Sequence, residues 1–323
     1  MADAPAFSVV IVNYNGGTAL AEALASCVAQ GVDEGHCIIV DNGSRDASLE
    51  RVVQTHPRTE IIRNGCNAGF ARAVNQGLRR ATGDYVLILN NDARLLPETL
   101  PAFAACFAAH PALVLAGARL LGPDGSPQNC VAALPRWWHE FFPPSLLKRL
   151  WPQRFAGKMA HATRAQPVPS VIGAALVLRR GALPKLGFLD EDFFFYLEET
   201  EWCRRAWGKG LEVWFCPAAP VTHQLGQTAN RFRVAARIEF QRSKLLYLRK
   251  TEGPLAAGIV ALWLPVKAAV DTLSNGLALL ASLGLSARLR RRFRGYATIL
   301  LWHLLLRPRT WGLPDKCPQR TRS

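Results

Sequence analysis

The chain has 323 residues and a mass of 35.5 kDa, half of it hydrophobic and 20% charged. That suits one large domain or two modest ones and excludes a disordered tail protein. The net charge of +15 is uneven: residues 1–228 carry 21 Lys+Arg against 20 Asp+Glu, and residues 229–323 carry 18 against 4. An ordinary soluble domain is therefore expected first and a basic appendage after it, of a kind that meets nucleic acid or an anionic membrane surface. The eight cysteines, at 27, 37, 66, 106, 130, 203, 216 and 317, form no CxxC pair and read as reduced, mostly buried thiols of a cytosolic protein. Met1 to Pro5 holds Asp3 and no basic stretch, so no signal peptide is expected there.

Phe7 to Val12 is a continuous apolar run, as expected of a parallel strand buried on both faces. Gly16-Gly17 breaks the chain, and Thr18 to Gln30 reads as a helix. Cys37 to Val40 is a second strand, ending at Asp41-Asn42-Gly43-Ser44. After a short helix come a third strand, Glu60 to Arg63, a helix over Asn67 to Arg80, and a fourth strand, Tyr85 to Leu89, ending at Asn90-Asn91-Asp92. Strands alternating with helices predict an α/β fold with a mostly parallel sheet. Ligands of such sheets sit beyond the carboxyl ends of the strands. Asn13 and Asn15, Asp41 and Asn42, and Asn90, Asn91 and Asp92 all fall there.

Residues 122–170 interrupt this rhythm with prolines and an aromatic–basic stretch running from Arg136-Trp137-Trp138 through Phe141-Phe142 to Trp151, either an acceptor region or a packing cluster. Val171 to Leu178 and Leu211 to Phe215 read as strands, Glu198 to Trp207 as a helix and Arg231 to Arg249 as a basic helix. In the last third, Leu255–Val266 and Leu273–Leu285 are apolar runs of 12 and 13 residues, parted by Lys267 and Asp271. Each is shorter than the roughly 20 residues of a bilayer span. With the arginine cluster Arg288 to Arg294 and the apolar Tyr296 to Leu306, they suit a membrane interface better than a nucleic acid; a helical layer packed on the sheet domain, and a pair of spanning segments or a re-entrant hairpin, are the other readings.

Val9 to Gly16 (VVIVNYNG), Val40 to Ser44 (VDNGS), Asn67 to Gly77 (NAGFARAVNQG) and Leu89 to Asp92 (LNND) resemble, in this order, motifs of family-2 glycosyltransferases with the GT-A fold. Gly187 to Glu199 (GFLDEDFFFYLEE) is similar to that family's acidic motif on the acceptor side, and within the family the chain most resembles bacterial rhamnosyltransferases. The resemblance covers about residues 7–228. It implies a GT-A domain over residues 6–228, with the basic, apolar helical region of residues 229–323 associating with a membrane.

The resemblance implies roles that the chemistry supports. A nucleotide-sugar donor linked to dTDP, UDP or GDP brings a base, a ribose and a diphosphate. Asn13, Asn15, Asp41, Asn42, Asn67, Gly69, Asn75, Asn90, Asn91 and Asp92 are the expected donor-binding residues, with Asp41 accepting a hydrogen bond from the base. Asp92 is expected to hold the ribose or a Mg²⁺ or Mn²⁺ ion, with His223 near the metal or diphosphate. The family's second carboxylate beside Asp92 is missing, since Asn91 and Ala93 flank it. Glu198, Glu199 and Glu201 crowd three carboxylates into four residues, which raises the pKa of at least one. Glu199 stands where the family has its base, usually Asp; Glu198 is the second candidate and Glu201 the third, with Arg205 placed to pair with Glu201.

These residues predict an inverting transferase acting on a glycan or lipid-linked acceptor in cell-envelope polysaccharide synthesis, at the cytoplasmic face of the membrane. Two other classes share parts of this pattern. A dinucleotide-dependent oxidoreductase would need GxGxxG after the first strand, where Asn13-Tyr14-Asn15-Gly16-Gly17 stands. A non-catalytic partner protein of the same fold is compatible with the departures at the acidic positions.

Overall fold

A computed structural model describes residues 6–152, 154, 155, 157–224 and 232–318. The chain divides into two units, the first within Met1–Leu134, Ser145–Gln227 and Asp315–Ser323, the second within Pro135–Pro144 and Thr228–Pro314. The boundary expected near residue 228 lies outside the described residues.

The first unit is built on strands β1 (Phe7–Asn13), β2 (Cys37–Asp41), β3 (Glu60–Arg63), β4 (Tyr85–Asn90), β5 (Ala93–Leu95), β6 (Leu113–Leu121), β7 (Val131–Ala132), β8 (Gln166–Pro167), β9 (Ser170–Val171), β10 (Ala175–Arg179) and β11 (Glu212–His223). Its main sheet runs β3-β2-β1-β4-β10-β6-β11-β5, with β8 beside β11. The first four strands are parallel, as their unbroken aliphatic runs require, and each is led to the next by a helix: α1 (Ala19–Val28), α2 (Ser48–Thr55) and α3 (Phe70–Arg80). Strand β10 enters antiparallel between β4 and β6, and α4 (Thr99–Ala109) precedes β6. Shorter helices α5 (Pro144–Leu150) and α6 (Leu183–Leu186) lead to α7 (Glu198–Gly208).

Several local expectations are corrected. The apolar run from Val171 is two strands, since the chain breaks around Gly173 before β10. Helix α3 starts at Phe70, leaving Asn67 and Gly69 in the loop before it. The expected Leu211–Phe215 strand runs on to His223 through an irregularity between Cys216 and Pro220, which carries the histidine to the sheet end. Cysteines 27, 37, 106, 130, 203 and 216 are buried and free as expected, but Cys66 and Cys317 form a disulfide, so the reading of all eight as thiols does not hold.

The second unit holds α8 (Arg233–Glu252), α9 (Pro254–Ala281) and α10 (Ala287–Leu304). Gly253, at φ 95°, and Pro254 separate α8 from α9. The two apolar runs expected apart form one 28-residue helix, α9, long and apolar enough to cross a membrane. Its small face (Ala256, Ala257, Val260, Leu264, Ala268) is buried, while Leu262, Val266, Val270, Leu273, Leu277 and Leu280 are exposed along the other. Residues 135–144 pack here: Phe141 lies 5.2 Å from the Trp263 ring, Trp263 Nε1 donates to Glu140 O at 3.1 Å, and Lys244 pairs with Glu140 at 2.7 Å. Phe141 and Trp263 thus make an aromatic packing contact, one of the two readings of the stretch.

Candidate active site

Parallel pairing puts Asn13 opposite Asp41 at the carboxyl ends of β1 and β2. Asn13 is fully buried; its Nδ2 donates to Asp41 Oδ1 (3.0 Å), Ser44 Oγ (2.9 Å) and Ser48 Oγ (3.0 Å), and its Oδ1 accepts from Asn91 Nδ2 (3.0 Å). Asp41 accepts in addition from Ser44 Oγ (2.6 Å) and from the backbone N–H groups of Gly43 and Ser44 (3.2 and 3.1 Å). Four protein donors therefore fill the acceptor sites of its carboxylate. These bonds brace the β1 and β2 loops against each other, around two residues expected to bind the donor. Asn15 is left-handed at φ 53°, and its Oδ1 accepts from Arg45 N at 2.8 Å, tying the β1 loop to the β2 loop.

The Asn67–Asn75 segment is also a brace. Asn75 is buried and exchanges both amide hydrogen bonds with the Leu189 backbone (2.8 and 3.0 Å), so it anchors the acidic segment. Gly69 has φ 87°, and a Cβ there would lie 2.7 Å from Phe194 O, so only glycine fits. Asn42 reaches this loop through Nδ2 to Gly69 O (3.3 Å), and Asn67 Oδ1 accepts from Gly69 N (3.1 Å).

Asp92 and His223 meet because β5 and the end of β11 pair antiparallel just past Asp92. His223 Nε2 lies 3.3 Å from Asp92 Oδ1 and 3.4 Å from Asn90 Nδ2, with both Asp92 and His223 buried. Gln128 sets the imidazole. Its Nε2 donates to His223 O at 2.7 Å, which fixes the amide orientation and leaves Oε1 to accept from His223 Nδ1–H at 3.1 Å. Nε2 is then an acceptor, which takes a hydrogen bond from Asn90 Nδ2 at 3.4 Å beside the Asp92 carboxylate. Among the described residues no cluster of three or more His, Cys, Asp or Glu forms a complete metal cage. A carboxylate–imidazole pair whose ring is oriented by Gln128 fits a Mg²⁺ or Mn²⁺ that takes its remaining ligands from a diphosphate and water.

The acidic cluster opens α7. Tyr196 and Leu197 are both left-handed (φ 75° and 67°), a costly backbone that turns the chain sharply into the helix. Glu198 is buried, and its Oε2 has no hydrogen-bond partner among the described residues. Burial first, then the neighbouring Glu199 charge, pushes its pKa well above the carboxylate range. Burial also raises Glu199, against the pull of the backbone N–H groups of Glu199, Gly173 and Thr200. Glu201 is not a free base: Arg205 holds it by two bonds (2.6 and 3.0 Å) and donates on to Leu186 O and Phe188 O. Glu199 packs over Gly173, and the next residue, Ala174, accepts Asn90 N–H at 2.9 Å through its carbonyl. The raised pair and the Asp92–His223 pair thus border the same end of β4 and β10.

The sequence matches the Glycosyl transferase family 2 profile over residues 8–187, more than half of the chain. The chain belongs to this family. The glycosyltransferase is 24% identical over 255 residues to an N-acetylglucosaminyl-diphospho-decaprenol L-rhamnosyltransferase of Mycobacterium tuberculosis, covering 74% of this chain and 83% of that one. It is 23% identical over 264 residues to the dTDP-rhamnosyl transferase RfbF of Shigella flexneri, covering 77% and 82%. Its fold is like that of GalNAc-T7 with UDP, GalNAc and Mn²⁺, at TM-score 0.52 and 18% identity over 69% of this chain and 44% of that one. It is also like glucosyl-3-phosphoglycerate synthase from Mycobacterium tuberculosis with Mn²⁺, UDP and glucosyl-3-phosphoglycerate, at TM-score 0.51 and 16% identity over 77% and 81%. The mixed sheet is the GT-A arrangement. Gln128 is the site residue that sequence reasoning missed; it lies in the irregular 122–170 stretch, and no spacing links it to His223, 95 residues on.

Proposed function

We propose that this glycosyltransferase moves a sugar, rhamnose by the names of its relatives, from a nucleotide donor to a hydroxyl of a lipid-linked glycan, with inversion, in cell-envelope polysaccharide synthesis. The observation that carries the reading is the raised Glu198/Glu199 pair beside the Asp92–His223 pair at one sheet end. Glu199 takes the proton of the acceptor hydroxyl as its oxygen attacks the anomeric carbon in line with the departing diphosphate. Burial raises the basicity of Glu199, and the Glu199 charge in turn helps keep Glu198 protonated. Asp92 and His223 would hold a Mg²⁺ or Mn²⁺, which when bound neutralises charge on the leaving diphosphate. Gln128 keeps the His223 lone pair turned to that position.

The reading extends to the membrane. The exposed apolar face of α9, with the arginines of α10 next in sequence, suits docking on an anionic bilayer, and a decaprenol-linked acceptor in a relative's name supports it. The side of the membrane expected is the cytoplasmic one, where nucleotide sugars are made. The deciding experiment measures binding and hydrolysis of dTDP-, UDP- and GDP-sugars by the purified chain, with and without Mn²⁺ or Mg²⁺. Selective, metal-assisted binding of one donor is expected. A folded protein that binds none of them, with lipid present, would be a non-catalytic partner.

A further inference from the structure

The disulfide that the cysteine pattern did not announce joins two distant parts of the first unit. Cys66 lies in the loop before Asn67, and Cys317 is 251 residues away. Residues 315–317 lie along that loop as a strap: Asn67 N donates to Asp315 O (2.7 Å) and Cys317 N to Asn67 O (3.0 Å), a parallel bridge between Asn67 and Lys316. The side chains reach further. Asp315 Oδ2 accepts from Tyr14 Oη at 2.7 Å and Oδ1 from Arg45 Nη2 at 3.1 Å, while Lys316 Nζ sits 4.6 Å over the Phe194 ring. The platform is fixed from below, because Gly43 at φ 78° has the Cys66 backbone 2.9 Å from where a Cβ would be.

Tyr14 follows Asn13, and Arg45 follows Ser44, so one carboxylate pins both loops that the Asn13–Asp41–Ser44 network braces from inside. Phe194 belongs to the segment leading to Glu198 and Glu199. The strap thus touches the β1 loop, the β2 loop, the Asn67 loop and the acidic segment.

We propose that residues 315–317 are a closing element of the donor site, that Asp315 is a positioning residue for the nucleoside end of the donor, and that the Cys66–Cys317 bond controls whether the strap stays closed. This rests on the sugar-nucleotide reading above. A dithiol supplies the two electrons and two protons that turn the bond into two thiols, and leaves with its own disulfide. Cys66 and Cys317 are only partly buried, so such a reductant can reach them. Once cut, the strap is held by two backbone bonds, an ion pair whose arginine is 78% exposed, a tyrosine hydroxyl and a cation–ring contact. If the closed form binds nucleotide and is only partly populated after reduction, apparent affinity falls in proportion to that fraction.

The test uses the full chain and nucleoside diphosphates as probes. Oxidised protein, protein reduced with dithiothreitol and then reoxidised, and Cys317→Ser are compared for UDP, dTDP and GDP binding. Reduction and Cys317→Ser should each weaken binding of the preferred nucleotide by about three- to tenfold, with reoxidation restoring it to the wild type. Asp315→Asn should raise the donor KM by a similar factor with kcat held within about twofold, and Asp315→Glu should recover most of the loss. Equal affinity in both redox states, tighter binding after reduction, or failure of the disulfide to form under air oxidation would each overturn the proposal. Binding of no nucleotide in any state would instead overturn the transferase reading, and this one with it.

Discussion

In the proposed reaction Glu199 and Asp92 carry different parts of the chemistry, and their substitution should separate them. Glu199→Gln removes the proton acceptor while keeping shape, so kcat should fall by about 10²- to 10⁴-fold with donor KM little changed. Asp92→Ala should raise the Mn²⁺ or Mg²⁺ concentration needed for half-maximal turnover, and a metal titration reads this directly. The raised carboxyl pair also sets a pH dependence. The folded pair keeps protons that the unfolded chain would release, so its contribution to stability is full below the ordinary glutamate pKa. It is lost as pH rises through the raised values. Glu198→Gln should therefore raise the melting temperature more at about pH 8 than at about pH 5, by calorimetry. Turnover should climb with pH through an apparent pKa above the usual carboxylate range, a value that belongs to the pair and not to either residue.

At the scale of elements, α7 separates its acids by position: Glu198 and Glu199 sit in the first turn beside the sheet end, while Glu201 points along the helix to Arg205. Glu201→Gln should keep turnover within a few-fold yet lose about 1–3 kcal/mol of stability, since Arg205 is left partly unpaired; urea unfolding distinguishes the two effects. Gly69→Ala should cost at least about 1 kcal/mol, because positive φ and the Phe194 carbonyl both oppose a side chain. The parallel strands were readable from their aliphatic runs, and the ends of those runs located Asn13, Asp41 and Asp92 correctly. Which of these touch a ligand was not readable. Asn13 and Asp41 look like ligands in a motif, and the fold adds what no motif shows, that they also hold each other and the Ser44 loop. Gln128 and Asp315 left no trace in any local pattern, because each acts on a residue far away in sequence.

For the molecule as a whole, the charge count set a near-neutral stretch apart from a basic one, and the reading of apolar runs erred where it took interruptions for ends. Lys267 and Asp271 do not divide α9; the helix carries Lys267 exposed and Asp271 half-buried while Ala256, Val260, Leu264 and Ala268 face inward. A membrane role for its exposed leucines predicts that the purified chain floats with anionic vesicles more than with neutral ones, less so as salt rises. Leu262→Glu combined with Leu273→Glu should abolish flotation on both, whereas donor hydrolysis in solution should persist.

The Cys66–Cys317 bond also changes what kind of object the polypeptide is. With it in place, residues 66–317 form a closed covalent ring rather than a segment of a line. A protease that cuts once anywhere inside the ring opens it without releasing a fragment, so a denaturing gel run without reductant shows a single full-mass species where a reduced gel shows two. Ring closure over this span also removes unfolded-state entropy worth on the order of 5 kcal/mol in the chain-entropy account. A nicked but oxidised molecule therefore keeps both pieces attached to the loop that carries Asn67.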